Sequence, residues 1–114
     1  MMSYEQTMTS GAEQYRDVLA ALSDGGLRGE FIQTGGMCAA LQVMLDGGHY
    51  LLFTDLEDTL SWERAAHEGW FVGLYEPEER RSVDGPLRWL EDPDGSSAKA
   101  IELARRVIDG ESTD

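Results

Sequence analysis

Between Met37 and Asp46 the chain alternates. Met37, Ala39, Leu41, Val43 and Leu45 fall on one face of an extended segment and are all apolar, while Cys38, Ala40, Gln42, Met44 and Asp46 fall on the other and are mixed. Period two with one dry face predicts a half-buried strand over 37–46, against the mild helix preference of Ala and Met. Asp46-Gly47-Gly48-His49 predicts a hairpin turn, glycine supplying the positive φ of the primed types. That turn sets His49 beside Asp46 and makes 49–55 the antiparallel partner. Leu51 and Phe53 share one face of this partner and Tyr50, Leu52 and Thr54 the other. Both are largely apolar, as in a central strand covered at least in part on both sides. Further strands are predicted at 28–34, 70–76 and 86–91. The last is an edge strand, because Pro86 cannot donate to a ladder. Gly73, between Phe71 and Tyr75, marks a bulge or a close approach.

Helical spacing brackets the strands. Ser10 and Glu13 form an S-x-x-E capping box, and Ala12, Tyr15, Val18, Leu19 and Leu22 follow at helical intervals. Asp24-Gly25-Gly26 ends that helix, predicted over 11–23. Ser96 or Ser97 caps a final helix running to Asp109-Gly110, with Ala100, Ile101, Ala104, Val107 and Ile108 as its apolar stripe. Between strands, 56–69 is a polar connection in which Leu60–Glu68 has the composition for one or two helical turns. Residues 77–85 read as a turn and 92–95 as a loop. Short connections imply an antiparallel meander, and two amphipathic helices must bury their stripes. The expected fold is α+β: an antiparallel sheet of about four to five strands with N- and C-terminal helices packed on one face. The domain is expected over 10–110, between a flexible segment 1–9 and a frayed tail 111–114.

Charge changes the picture most. Among 114 residues, 22 acids face 9 bases, a net of −13. Direct contact with nucleic acid or an anionic membrane needs a cationic surface and is not expected. A basic protein partner is favoured electrostatically. No apolar run approaches the ~20 residues of a membrane span, and residues 1–14 lack the features of a secretory signal. With one cysteine, no internal disulfide is available, and a reducing, cytoplasmic setting is expected.

The candidate chemistry is sparse. A nucleophilic Cys38 would need a base, and the expected hairpin separates it from His49 by eight strand positions, roughly 25 Å. One cysteine and two separated histidines make no zinc spacing. Asp92-Pro93-Asp94-Gly95-Ser96 begins like a calcium loop, but the later ligands do not follow in register. Asp55, Glu57 and Asp58, and again Glu76, Glu78 and Glu79, sit in connections after strands, where solvated carboxylates are the expectation. No catalytic, cofactor-binding or metal-ligating residue is therefore assigned, and no cofactor is expected. A pocket holding His67 with a carboxylate would point instead to an enzyme.

The segments TGGMCAALQVML, GGHYLLFTDLED and EGWFVGLYEPEE carry Gly35, Gly36, Cys38, Gly48, Tyr50, Leu51, Leu52, Thr54, Asp55, Gly69, Trp70, Gly73, Leu74 and Tyr75. This pattern resembles small acidic proteins of actinobacteria and of the phages that infect them. The likeness covers about a third of the chain, and it is a likeness of strands, with no activity attached. It implies a phage or mobile-element setting.

The expectation is a non-enzymatic module that binds and modulates a basic or nucleic-acid-binding host protein. Its predicted contact residues are Trp62, Glu76, Glu78, Glu79 and Asp84. An aromatic ring among charges has hot-spot composition, and residues 76–94 form the densest acidic stretch, interrupted by Arg80, Arg81 and Arg88. An immunity or antitoxin-like protein and a self-assembling structural protein remain open alternatives, and a homo-oligomer is left open.

Overall fold

In the computed structural model of the chain, residues 10–35, 38–56, 60, 67–77 and 86–110 are described. Within them the alternating segments become β1 (Gly29–Gly35), β2 (Cys38–Met44), β3 (Tyr50–Thr54), β4 (Trp70–Tyr75) and β5 (Arg88–Asp92). They form one antiparallel sheet in the order β1-β2-β3-β4-β5, so β3 is central and β5 is an edge. The helices are α1 (Arg16–Asp24) and α2 (Ser97–Ile108). This is the expected α+β fold.

The helices cover one face. Phe31, Leu41, Phe53, Val72 and Leu90 line up across all five strands. They join Tyr15, Val18, Leu22, Ala100, Leu103, Ala104 and Val107 in one buried cluster. Each such apolar side chain removed from water is worth about 1.5–3 kcal/mol, with Ala less. Trp70 sits in this layer fully buried. Its Nε1–H donates to the Ser96 carbonyl at 2.9 Å, tying β4 to the start of α2.

Four local expectations change. Ser10 is itself helical, in a stretch over residues 10–14, rather than the cap. A break at Tyr15 (φ −106°, ψ 22°) separates that stretch from α1. The hairpin carries a three-residue turn, Asp46–Gly48, with Gly47 at φ 79° and Gly48 at φ 87°. The Leu45 N–H donates to the His49 carbonyl at 2.7 Å, so His49 lies beside Leu45 and not Asp46. Two successive positive φ values explain the glycine pair. In α2 the buried stripe is Ala100, Leu103, Ala104 and Val107, while Ile108 is 37% exposed. Helical spacing admits both Leu103 and Ile108, and the side on which the sheet lies chooses Leu103. Finally, residues 67–69 are not helical, and of the rest of the expected helical connection only Leu60 lies among the described residues, buried and donating its N–H to the Ala39 carbonyl.

Gly73 makes the close approach rather than the bulge. The β3–β4–β5 register runs unbroken through it, and a Cβ there would stand 3.2 Å from Pro86 and 3.1 Å from the Tyr75 ring. The one register shift among the described pairs lies between Gln33 and Gly35.

Candidate functional site

Antiparallel order sends the end of β3, the start of β4 and the end of β5 to the same edge of the sheet. Asp55 and Leu56 follow β3, Glu68 and Gly69 precede β4, and Glu91 and Asp92 close β5 before Pro93. Together they line a cleft of about 450 Å³. Four of the seven described residues that line it are carboxylates. Gly69 lets the strands converge here: a Cβ would lie 2.7 Å from the Asp92 carbonyl and 3.0 Å from Pro93 Cα.

Asp55 is not the solvated loop carboxylate that its position after a strand suggests. Its side chain is 19% exposed, and its Oδ1 is hydrogen-bonded to Nδ1 of His67, whose side chain is fully buried. The His67 ring lies 3.9 Å from the Trp70 ring and edge-on to Tyr15 at 5.9 Å. Gly95 packs over it, where a Cβ would come within 3.0 Å of His67 Cδ2. The histidine thus orients a carboxylate that lines the cleft, while its own ring stays beneath the surface.

The segment beyond Asp92 is held by its own side chains. Asp92 Oδ1 accepts from the Asp94 N–H, Asp94 Oδ1 from the Ser96 N–H, and Ser96 Oγ from the Lys99 N–H. Ser96 is therefore the cap of α2, chosen over Ser97. The hydrogen bonds from Ser96 hold the Asp94 carboxyl below its ordinary pKa. These bonds account for the Asp-rich loop as helix capping.

Several bases are engaged within the chain. Arg88 does not interrupt an acidic surface: its guanidinium donates to the Val107 and Ile108 carbonyls at 2.6 and 3.2 Å, closing the end of α2. Arg105 donates to the Gly25 carbonyl at 3.0 Å. Lys99 contacts Glu102 at 2.7 Å and Asp92 at 3.9 Å, and Arg106 reaches Glu102 at 3.5 Å. The Glu102 hydrogen bond raises the pKa of Lys99, and the same contact lowers that of Glu102.

Of the expected contact residues, Glu76 lies just past β4, at the end of the sheet away from the cleft, and is half-buried. Trp62, Glu78, Glu79 and Asp84 lie outside the described residues. Cys38 opens β2 opposite Gly35, at the cleft end, while His49 is at the hairpin end. Sequence reasoning missed the convergence of Asp55, Glu68, Glu91 and Asp92. The signal was present: three successive antiparallel strands with acids at alternate termini must bring those acids together.

Among the described residues, no group of three or more His, Cys, Asp or Glu side chains is arranged to hold a metal ion. None of the described helices is long and apolar enough to cross a membrane. Comparison with protein-family models, curated proteins and solved structures finds no match to this chain.

Proposed function

We propose that the chain is a non-enzymatic acidic module that binds a basic protein partner. The observation that carries this reading is the cleft at the end of β3, β4 and β5, where four carboxylates converge. Arg88, Arg105 and Arg106 are tied elsewhere, and Lys99 reaches the cleft only through its 3.9 Å contact with Asp92. Among the described residues the charged side chains of this wall are all acidic, which focuses the field of a molecule that already carries −13 and attracts a Lys or Arg side chain from a partner.

The Asp55–His67 pair is the feature closest to an acid–base catalyst. Burial of the whole His67 side chain supports a positioning role for it, because a general base must reach the proton it takes. The host-protein setting implied by the sequence resemblance fits a phage accessory protein, and an antitoxin-like partner of a basic toxin fits the same cleft.

The test is capture. The immobilised chain is exposed to nuclease-treated lysate of a GC-rich actinobacterium and washed at moderate salt. One basic protein retained in stoichiometric amount is expected, with affinity falling about tenfold for the double variant Glu68→Lys, Glu91→Lys. Absence of a stoichiometric basic partner, or capture indifferent to both substitutions, overturns the reading.

A further inference from the structure

The sheet face away from the helices is not a polar surface. Pairing register sets Gln42, Leu52, Gly73 and Trp89 in one row across it, Met44, Tyr50 and Tyr75 in a second, and Phe71 beside Thr54 and Glu91 in a third. Tyr50 stacks on Tyr75 at 5.4 Å and 12°, and Phe71 on Trp89 at 6.3 Å and 19°. An antiparallel sheet with one solvated face normally alternates to polar residues there. Met44 is 58% exposed, and Leu87, which precedes β5 and alternates with the helix-facing Arg88, is 50% exposed. These are the two most exposed large apolar side chains among the described residues. Both lie at the hairpin end of this face, beside the tyrosine pair.

Among the described residues the rim of the face carries more acid than base, exposed Arg28 just before β1 being its cation. Exposed Glu30 stands on β1 in the row of Gln42, exposed Glu91 on β5 beside Phe71, and exposed Asp46 follows Met44 at the turn. Glu91 also lines the cleft, so the aromatic face and the carboxylate cleft are continuous. A second copy is a poor occupant, because it would bring two rims of like charge together between molecules of −13 each. The complementary occupant has apolar side chains for the centre and cations for the rim.

We infer that the helix-free face is the docking surface for a basic amphipathic segment of the partner, its apolar stripe lying on Met44, Leu52, Trp89 and Leu87 and its Lys or Arg side chains reaching Glu30, Glu91 and the cleft. This rests on the proposed reading of the chain as a binder of a basic protein.

The test uses the full chain and two synthetic probes of equal charge, an amphipathic Leu/Lys helical peptide and an all-Lys peptide. Binding is followed by calorimetry and by NMR shifts of side-chain signals. The Leu/Lys peptide is expected to bind about tenfold or more tighter and to shift the Met44 and Leu52 methyls and the Trp89 indole. Met44→Glu with Leu87→Glu should remove that advantage, as should the milder Met44→Ser with Leu87→Ser, with circular dichroism unchanged. Equal affinity for the two peptides, with shifts confined to the region of Glu68 and Asp92, overturns the docking face and leaves the acidic-module reading standing. Binding of neither peptide overturns both. Concentration-dependent shifts of the same methyls without peptide assign the face to a second copy and overturn the proposal.

Discussion

On the helix side of the sheet, residues from every strand meet α1 and α2, and the apolar side chains vanish from solvent; Leu41, Val43, Leu51, Phe53, Trp70 and Val72 are all fully buried. On the other side the same strands carry aromatic and aliphatic residues of mixed burial: Ala40 and Tyr50 are buried, Leu52, Phe71, Tyr75 and Trp89 half-buried, and Met44 and Leu87 exposed. Chemically the two faces differ less than their burial does. What separates them is coverage: two amphipathic helices supply apolar partners to one face, and among the described residues no helix covers the other. Apolar residues on the covered face stabilise the fold, while Met44 and Leu87 on the other remain exposed and are the ones proposed to meet a partner.

The contrast is tested most strongly at Trp70. It touches Phe53, Tyr15 and His67 and holds the start of α2 through Ser96. Trp70→Ala should cost about 3–5 kcal/mol in urea unfolding. A loss below ~1 kcal/mol would mean that the helix-covered layer is not the stabilising one. At the cleft edge, Gly69→Ala should cost about 1–3 kcal/mol, since the new methyl meets the Asp92 and Pro93 backbone. It should also weaken capture of the proposed basic partner, because the strand ends must separate. An unchanged melting temperature would show that the convergence is loose.

The open face should respond oppositely. Met44→Glu and Leu87→Glu should each alter stability by no more than about 0.5 kcal/mol, while weakening Leu/Lys peptide binding. A cost comparable to Trp70→Ala would erase the distinction between the faces. The smallest effect is expected at Asp94. Its folded-state pKa lies below the ordinary 3.8 because Ser96 hydrogen-bonds the ionised form. Its contribution to stability is therefore complete above the unfolded-state value and is lost as pH falls through the folded-state value. Asp94→Asn should be slightly less stable than the parent at neutral pH, with the gap closing in acid. A gap that widens in acid would reverse the assignment.

The sheet was legible because period-two alternation is local. Residues 38–44 and 50–54 carry it without help from the rest of the chain, and each predicted strand lies within two residues of an observed one. The hairpin register was off by one position, because Asp-Gly-Gly serves a two- or a three-residue turn and local composition does not separate them. Ile108 was expected inside and Leu103 was not named, since a helix stripe is set by the direction in which the sheet lies. The cleft was the least legible feature. Asp55, Glu68, Glu91 and Asp92 span 38 sequence positions, and each alone looks like an ordinary solvated acid.

Composition and pattern by themselves determined an acidic α+β chain with an antiparallel meander between two amphipathic helices. Both follow from properties summed or repeated along neighbouring residues. Only the tertiary structure decided which face the helices cover, that His67 lies buried beneath Asp55, that Arg88 closes a helix instead of breaking an acidic surface, and that four distant acids share one cleft. Each of those depends on which side chains meet in space, and that is fixed by packing between residues far apart in the chain.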